Sequence, residues 1–186
     1  MPTKKSRPPN GKNLKIHGAS IRHTSALSEA QPGGGSAERM MLSVEVENAG
    51  DTPLHVWASR RAYEYDSATG LLTLYLTDHV PGPPPGIKII SVHPRTPKQV
   101  EVSPHGNATL NVPVPAVIRR RVPGSGRGMS FVEDPIQHIN QVDLRIQSGT
   151  EPLRYVVGES AVETCERFKA HGDVVRASIT LTQAKE

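Results

Sequence analysis

Short stretches of alternating apolar and polar residues recur along this chain, and turns rich in Pro and Gly separate them. Leu42, Val44 and Val46, for example, alternate with polar residues just before a turn at residues 48–51. A period of two residues places the apolar side chains on one face of a strand, where they can pack on a core. With 17 Pro and 16 Gly among 186 residues, the composition favours short strands joined by turns. The sequence therefore predicts a mainly β fold.

The clearest local structure in the sequence is a β-hairpin. Residues 62–66 and 71–76 flank a short loop that ends at Gly70, which can adopt the left-handed conformation that closes such a loop. If Asp66 pairs with Leu71, both tyrosines of the first strand share a face with leucines of the second. That face is predicted to pack on the core.

One helix is predicted near the end of the chain. Ser160 and Glu163 have the spacing of a capping box, in which the serine is the N-cap and the glutamate is the third helical residue. Gly172 is predicted to end the helix. Residues at helical spacing form its predicted apolar stripe: Ala161, Val162, Cys165 and Phe168.

About nine strands at this spacing, with one short helix before the last strand, predict an antiparallel two-layer β-sandwich. Residues 142–146 form one predicted strand, and residues 153–157 are predicted to pair with it. Pro113 and Pro115 cannot donate to a ladder, so their strand is predicted to be an edge or to end there.

Residues 44–56 carry a resemblance to a known class of module. They read as an alternating apolar strand, then Asn48-Ala-Gly-Asp, then a second apolar strand. This segment resembles the opening hairpin of bacterial immunoglobulin-like modules. The resemblance covers about 13 residues, and it implies an immunoglobulin-like sandwich of a kind that usually binds or spaces rather than catalyses. The chain departs from such modules in lacking a Cys…Trp…Cys pattern and in carrying a helix before its last strand.

The predicted domain organisation is a tail followed by one domain. Residues 1–38 are predicted to be a flexible basic N-terminal tail and Gly-rich linker, and residues 39–186 the β-sandwich domain. Within the tail, residues 14–23 also fit a first strand. Residues 1–15 hold five basic residues and no acidic one, whereas the rest holds 17 basic and 18 acidic residues. The basic character of the chain therefore belongs to its tail, and the predicted domain is nearly neutral.

The expected compartment is the cytoplasm. Cys165 is the single cysteine, so no intrachain disulfide can form. The basic N-terminus is not followed by the apolar stretch of a signal peptide, and no run approaches the roughly 18 apolar residues of a membrane helix.

No catalytic constellation is present in the sequence pattern. The eight histidines show no spacing typical of metal ligands, and Cys165 lies on the apolar stripe of the predicted helix. No Gly-x-Ser-x-Gly motif occurs. No catalytic residue, metal ligand or cofactor is therefore predicted. A metal-dependent enzyme whose site is assembled from scattered His and Asp residues is kept as an alternative.

Two groups of residues are candidates for binding. Arg119, Arg120 and Arg121 lie on a predicted edge strand, and Arg127 follows in a Gly-rich loop, so these cations can meet phosphates or an acidic protein. Trp57 is either a core residue or an exposed interface anchor. The favoured function is a non-catalytic protein-binding or assembly module that binds a partner or self-associates. The alternative is a nucleic-acid-associated protein that uses the basic tail and the three consecutive arginines.

Overall fold

The computed structural model describes five stretches of the chain: residues 13–24, 39–82, 94–123, 129–136 and 138–181. They form eleven strands and one helix, which makes the described protein mainly β. The first six strands are β1 (Leu14–Thr24), β2 (Arg39–Asn48), β3 (Leu54–Trp57), β4 (Ala62–Asp66), β5 (Leu71–Leu76) and β6 (Gln99–Val102). The remaining elements are β7 (Asn107–Pro115), β8 (Val117–Pro123), β9 (Met129–Pro135), β10 (Gln141–Gly149), α1 (Ala161–Lys169) and β11 (Asp173–Thr180).

The first sheet contains three antiparallel strands in the order β1-β2-β7. Its central strand buries Leu42, Val44 and Val46, as the alternating pattern predicts. Strand β7 lies at the edge of this sheet and ends at Pro115, so the prediction from its two prolines is confirmed. Because β1 pairs with β2 along nearly its whole length, the folded part begins before the predicted boundary at residue 39.

The second sheet has the order β4-β5-β10-β3-β6, and β11 also pairs with β10. Strands β10 and β5 run parallel from Gln141 to Ile146, so the prediction of purely antiparallel sheets is wrong for this pair. One side of β10 is occupied by β11 and the other by β5 and then β3. No edge of β10 is left for residues 153–157, and the predicted pairing there is wrong.

One hydrophobic core joins the two sheets. Buried side chains of the central strand β2 cluster with those of β5 and β10, for example Leu42, Leu74 and Ile146. The predicted hairpin is confirmed: β4 and β5 pair with Asp66 opposite Leu71, and Gly70 has a φ of 69°. Both of its tyrosines pack against the core, as predicted.

The connection from β2 to β3 passes from one sheet to the other. Buried Asn48 holds it in place: its Nδ2 donates to the carbonyl oxygens of Thr52 and Val102, and its Oδ1 accepts the amide of Gly50. Residues 44–56 therefore do not form the hairpin that the sequence pattern predicts. They lead from β2 in the first sheet to β3 in the second sheet, and these two strands pair with different partners.

Helix α1 begins as predicted. Ser160 is its N-cap, and the capping box with Glu163 is complete. Gly172, two residues beyond the C-cap Ala170, has a φ of 69°, which lets the chain turn into β11. Within the described part of the chain, no helix has the length and apolar character needed to span a membrane.

Candidate functional site

Helix α1 covers the outer face of the second sheet at Trp57. Because Trp57 follows Val56 on strand β3, its side chain points away from the core between the sheets. The indole meets the Phe168 ring edge-on, with centroids 6.2 Å apart and planes at 85°. Trp57 is 0% exposed and packs beneath α1, so of its two predicted roles the buried one is found, and it presents no exposed anchor.

The imidazole of His171 joins this aromatic contact to the loop that precedes α1. Nε1 of Trp57 donates to Nδ1 of His171 at 3.3 Å, and Nε2 of His171 lies 2.7 Å from the carbonyl oxygen of Glu151. The ring also packs on the backbone of β10, where a Cβ at Gly149 would come within 2.8 Å of it. Burial of the ring lowers the pKa of His171, and the positive potentials of His55 and Arg167 add to this effect.

An ion pair also lies against the indole. Nε of Arg61 is 2.9 Å from Oδ1 of Asp78, and the guanidinium lies 5.4 Å above the Trp57 ring and 5.6 Å above the Phe168 ring. Nη2 of Arg61 also donates to the carbonyl oxygen of Arg95. Burial raises the pKa of the Asp78 carboxyl, and Arg61 opposes this shift. These contacts connect β3 and α1 with the residue before β4 and the turn after β5, which makes the ion pair structural.

Gln147, which is fully buried on β10, holds the C-terminal end of α1. Its Nε2 donates to the carbonyl oxygens of Phe168 and His171 at 2.6 and 2.8 Å. Its Oε1 accepts the hydroxyl of Thr77 at 2.7 Å. Carbonyl groups at a helix C-terminus lack partners inside the helix, and this amide supplies one.

The loop between β10 and α1 is tied to the fold on both sides of its centre. Leu153 is buried, and its backbone N–H and C=O both bond the side-chain amide of Gln99 at 2.9 Å. Nη1 of Arg167 donates to the carbonyl oxygen of Arg154 at 2.9 Å. The same guanidinium binds both carboxylate oxygens of Glu159, at 2.7 and 2.6 Å.

Three consecutive apolar residues between these attachments face outward. Val157 is 89% exposed, Tyr155 60% and Val156 45%. Val162, in the first turn of α1, is 59% exposed, so the predicted apolar stripe is wrong at this position. Thr164 and Phe168 form the buried face of the helix instead, because they are the residues that face the second sheet. Residues 155–157 form the exposed segment.

A shallow polar groove of about 500 Å³ lies on the outer face of the first sheet. Gly18 forms part of its floor, and Ser43 and Asn111 bond each other across it at 2.8 Å. Arg22 and Glu45 are its charged lining residues. None of the described residues that line the groove is aromatic.

The structure describes only part of the predicted binding residues. Arg119, Arg120 and Arg121 lie on β8, which forms a separate two-stranded sheet with β9 and pairs Arg119 with Glu133. The side chains of these three arginines and the whole of Arg127 lie outside the described residues. Trp57 lies in the second sheet, beneath α1.

Nothing in the described part of the chain brings three or more His, Cys, Asp or Glu side chains together around a possible metal position. Cys165 is half-buried on α1. Two titratable groups whose pKa values are shifted by burial, His171 and Asp78, are both engaged in the packing of that helix.

No family model matches this chain, and neither a curated protein nor a solved structure matches it. The function of the chain is therefore inferred from the residues of the candidate site. Sequence reasoning missed the exposed segment because a Tyr-Val-Val run reads as a strand. The signal that could have found it is Gly158, which directly follows the run. This glycine has a φ of 82° and turns the chain towards α1.

Proposed function

We propose that this chain is a non-catalytic protein-binding module, and that the exposed segment together with Val162 is its binding surface. The single observation that carries the proposal is the exposure of three consecutive apolar side chains in an anchored loop. Consecutive exposed apolar residues lower solubility and are uncommon unless a partner covers them. The immunoglobulin-like sandwich belongs to the same proposal, and the core shared by the two sheets supports it.

The loop is suited to binding because it is held before the partner arrives. The amide of Gln99 fixes Leu153, and Arg167 fixes both Arg154 and Glu159. Ordering a loop on binding costs free energy, and a loop that is already ordered avoids most of that cost. The exposed segment therefore has the character of a preorganised anchor.

The chemistry of the partner follows from the residues around this surface. Glu163 and Glu166 are exposed on α1 beside Val162, so they place negative charge next to the apolar side chains. A protein with an apolar groove and a basic rim complements this arrangement. Val157 is the residue with the most surface to bury in such a groove.

Val157→Asp is expected to weaken partner binding at least about 10-fold. Burying a valine side chain contributes on the order of 1.5 kcal/mol, and burying a carboxylate in its place is unfavourable. The measurement is a pull-down from nuclease-treated native lysate, followed by titration calorimetry with the purified partner. Val80→Asp is the matched control, because Val80 is also an exposed valine but lies outside the loop.

The proposal requires a stoichiometric protein that wild type and Val80→Asp retain and Val157→Asp loses. Equal retention by both variants would contradict it. Partners that disappear on nuclease treatment would favour the nucleic-acid alternative, and sedimentation of the purified chain as a dimer that Val157→Asp dissociates would favour self-association.

A further inference from the structure

We propose that His171 is a pH switch that controls the order of the loop carrying the exposed segment: the neutral imidazole holds Glu151, and protonation releases it. As a form of regulation, the switch rests on the proposed function of that segment. The switch itself depends on the geometry of the imidazole.

The two hydrogen bonds of the ring assign its protonation state. The indole Nε1–H of Trp57 can only donate, so Nδ1 of His171 must carry a lone pair. The carbonyl oxygen of Glu151 can only accept, so Nε2 must carry the proton. His171 is therefore a neutral imidazole in one defined tautomer.

Protonation is incompatible with this arrangement. A second proton on Nδ1 would point at the indole N–H, so that two donors face each other 3.3 Å apart. The Trp57 ring cannot move away, because it is fully buried against Phe168 and beneath Arg61. The imidazole must leave this position instead: burial disfavours its positive charge more than the Glu151 carbonyl favours it, so the ring moves towards water and its contact with Glu151 is lost.

The charged groups around the ring determine where the switch acts. His55 on β3 and Arg167 on α1 disfavour a positive imidazole, and Glu151 favours it through both its carbonyl and its carboxylate. Gly149 and Trp57, which also pack on the ring, carry no charge. Burial adds the largest contribution and lowers the pKa of His171 from the usual 6.5. Above that pH the ring is neutral and the loop is held.

The sign of the pH dependence follows from linkage. In the unfolded chain His171 has an ordinary pKa, so that state takes up the proton first as the pH falls below about 6.5. This contribution to stability is therefore complete above that pH and decreases between it and the lower pKa of the folded protein. The loop attached at Glu151 is the first part to loosen.

The experiment measures hydrogen exchange of the full-length chain at pH 7.5 and pH 5.0, with protection corrected for intrinsic rates. Amides of residues 151–158 are expected to lose at least about 10-fold in protection at pH 5.0, while those of the β2–β7 ladder stay protected. Emission of Trp57, the single tryptophan, is expected to change sigmoidally with a midpoint below the ordinary histidine pKa.

His171→Asn is expected to abolish both pH transitions. His105→Asn is the control that keeps them, since His105 lies exposed in another turn and pairs with Asp51. Trp57→Phe retains an aromatic ring but removes the N–H donor, and it is expected to reduce the loss of protection at pH 5.0, because a protonated Nδ1 then faces no second donor. Trp57→Phe tests the switch even where His171→Asn does not fold.

Equal corrected protection of residues 151–158 at both pH values would overturn the switch, as would a pH transition that survives in His171→Asn. These outcomes are separate from the binding test. If the pH transition occurs but Val157→Asp binds normally, the proposed function fails while the switch stands. If Val157→Asp loses binding but no transition occurs, the switch fails.

Discussion

Gly172→Ala is expected to lower the free energy of unfolding by at least about 3 kcal/mol. Gly172 has a φ of 69°, a conformation that costs a residue with a Cβ about 1–2 kcal/mol. A Cβ at this position would also overlap the carbonyl oxygen of Ser148 and lie 2.7 Å from its carbonyl carbon. Because that carbonyl belongs to β10, the central strand of the second sheet, neither backbone can move away without breaking the ladder.

Gly158→Ala is the matched control for this prediction. Gly158 also has a positive φ, 82°, but a Cβ there would meet nothing within 4 Å. It is expected to cost only the conformational part, about 1–2 kcal/mol. Urea unfolding of the two variants and wild type, followed by far-UV circular dichroism, measures the difference. Equal destabilisation by the two substitutions would show that the close approach to Ser148 does not contribute to the loss of stability in Gly172→Ala.

Gln147→Leu is expected to lower the free energy of unfolding by about 3–5 kcal/mol. The leucine has a similar volume but leaves the carbonyl groups of Phe168 and His171 and the hydroxyl of Thr77 without this partner. A buried polar group that loses its hydrogen bond costs about 1–3 kcal/mol. Helix α1 is expected to detach first, because its C-terminal end makes most of these contacts.

Gln141→Leu is the control on the same strand. Its Nε2 bonds Ser178 and Asp143 at the exposed face of the sheet, where water can replace the lost contacts. It is expected to change stability by less than about 1 kcal/mol. Chemical denaturation measures both variants, and Trp57 emission reports separately on the detachment of α1. A Gln147→Leu variant as stable as Gln141→Leu would contradict the role assigned to this amide.

Local features of the fold were predictable from the sequence. The β4–β5 register depends on two neighbouring strands and on Gly70, and the start of α1 depends on Ser160 and Glu163. Each of these features arises from contacts between residues close together in the chain. Alternation and turn residues therefore contain enough information to specify them.

The candidate site was not predictable in the same way. Residues 153–157 read as a strand, but a strand forms only where a partner offers an unpaired edge, and β5, β3 and β11 occupy both edges of β10. Val162 reads as a core residue, but the orientation of α1 on Trp57 turns it outward. The position of every one of these residues depends on strands that are distant in the sequence.

The amino-acid pattern alone establishes a mainly β chain, the β4–β5 hairpin with Gly70, and the start of α1 at Ser160. Packing between distant segments sets the rest: the parallel pairing of β10 with β5, the burial of Trp57, the tautomer of His171 and the exposure of residues 155–157. The physical reason is the range of the interactions. Turn and cap energies act over a few residues, whereas burial and strand pairing depend on which surfaces the whole fold brings together.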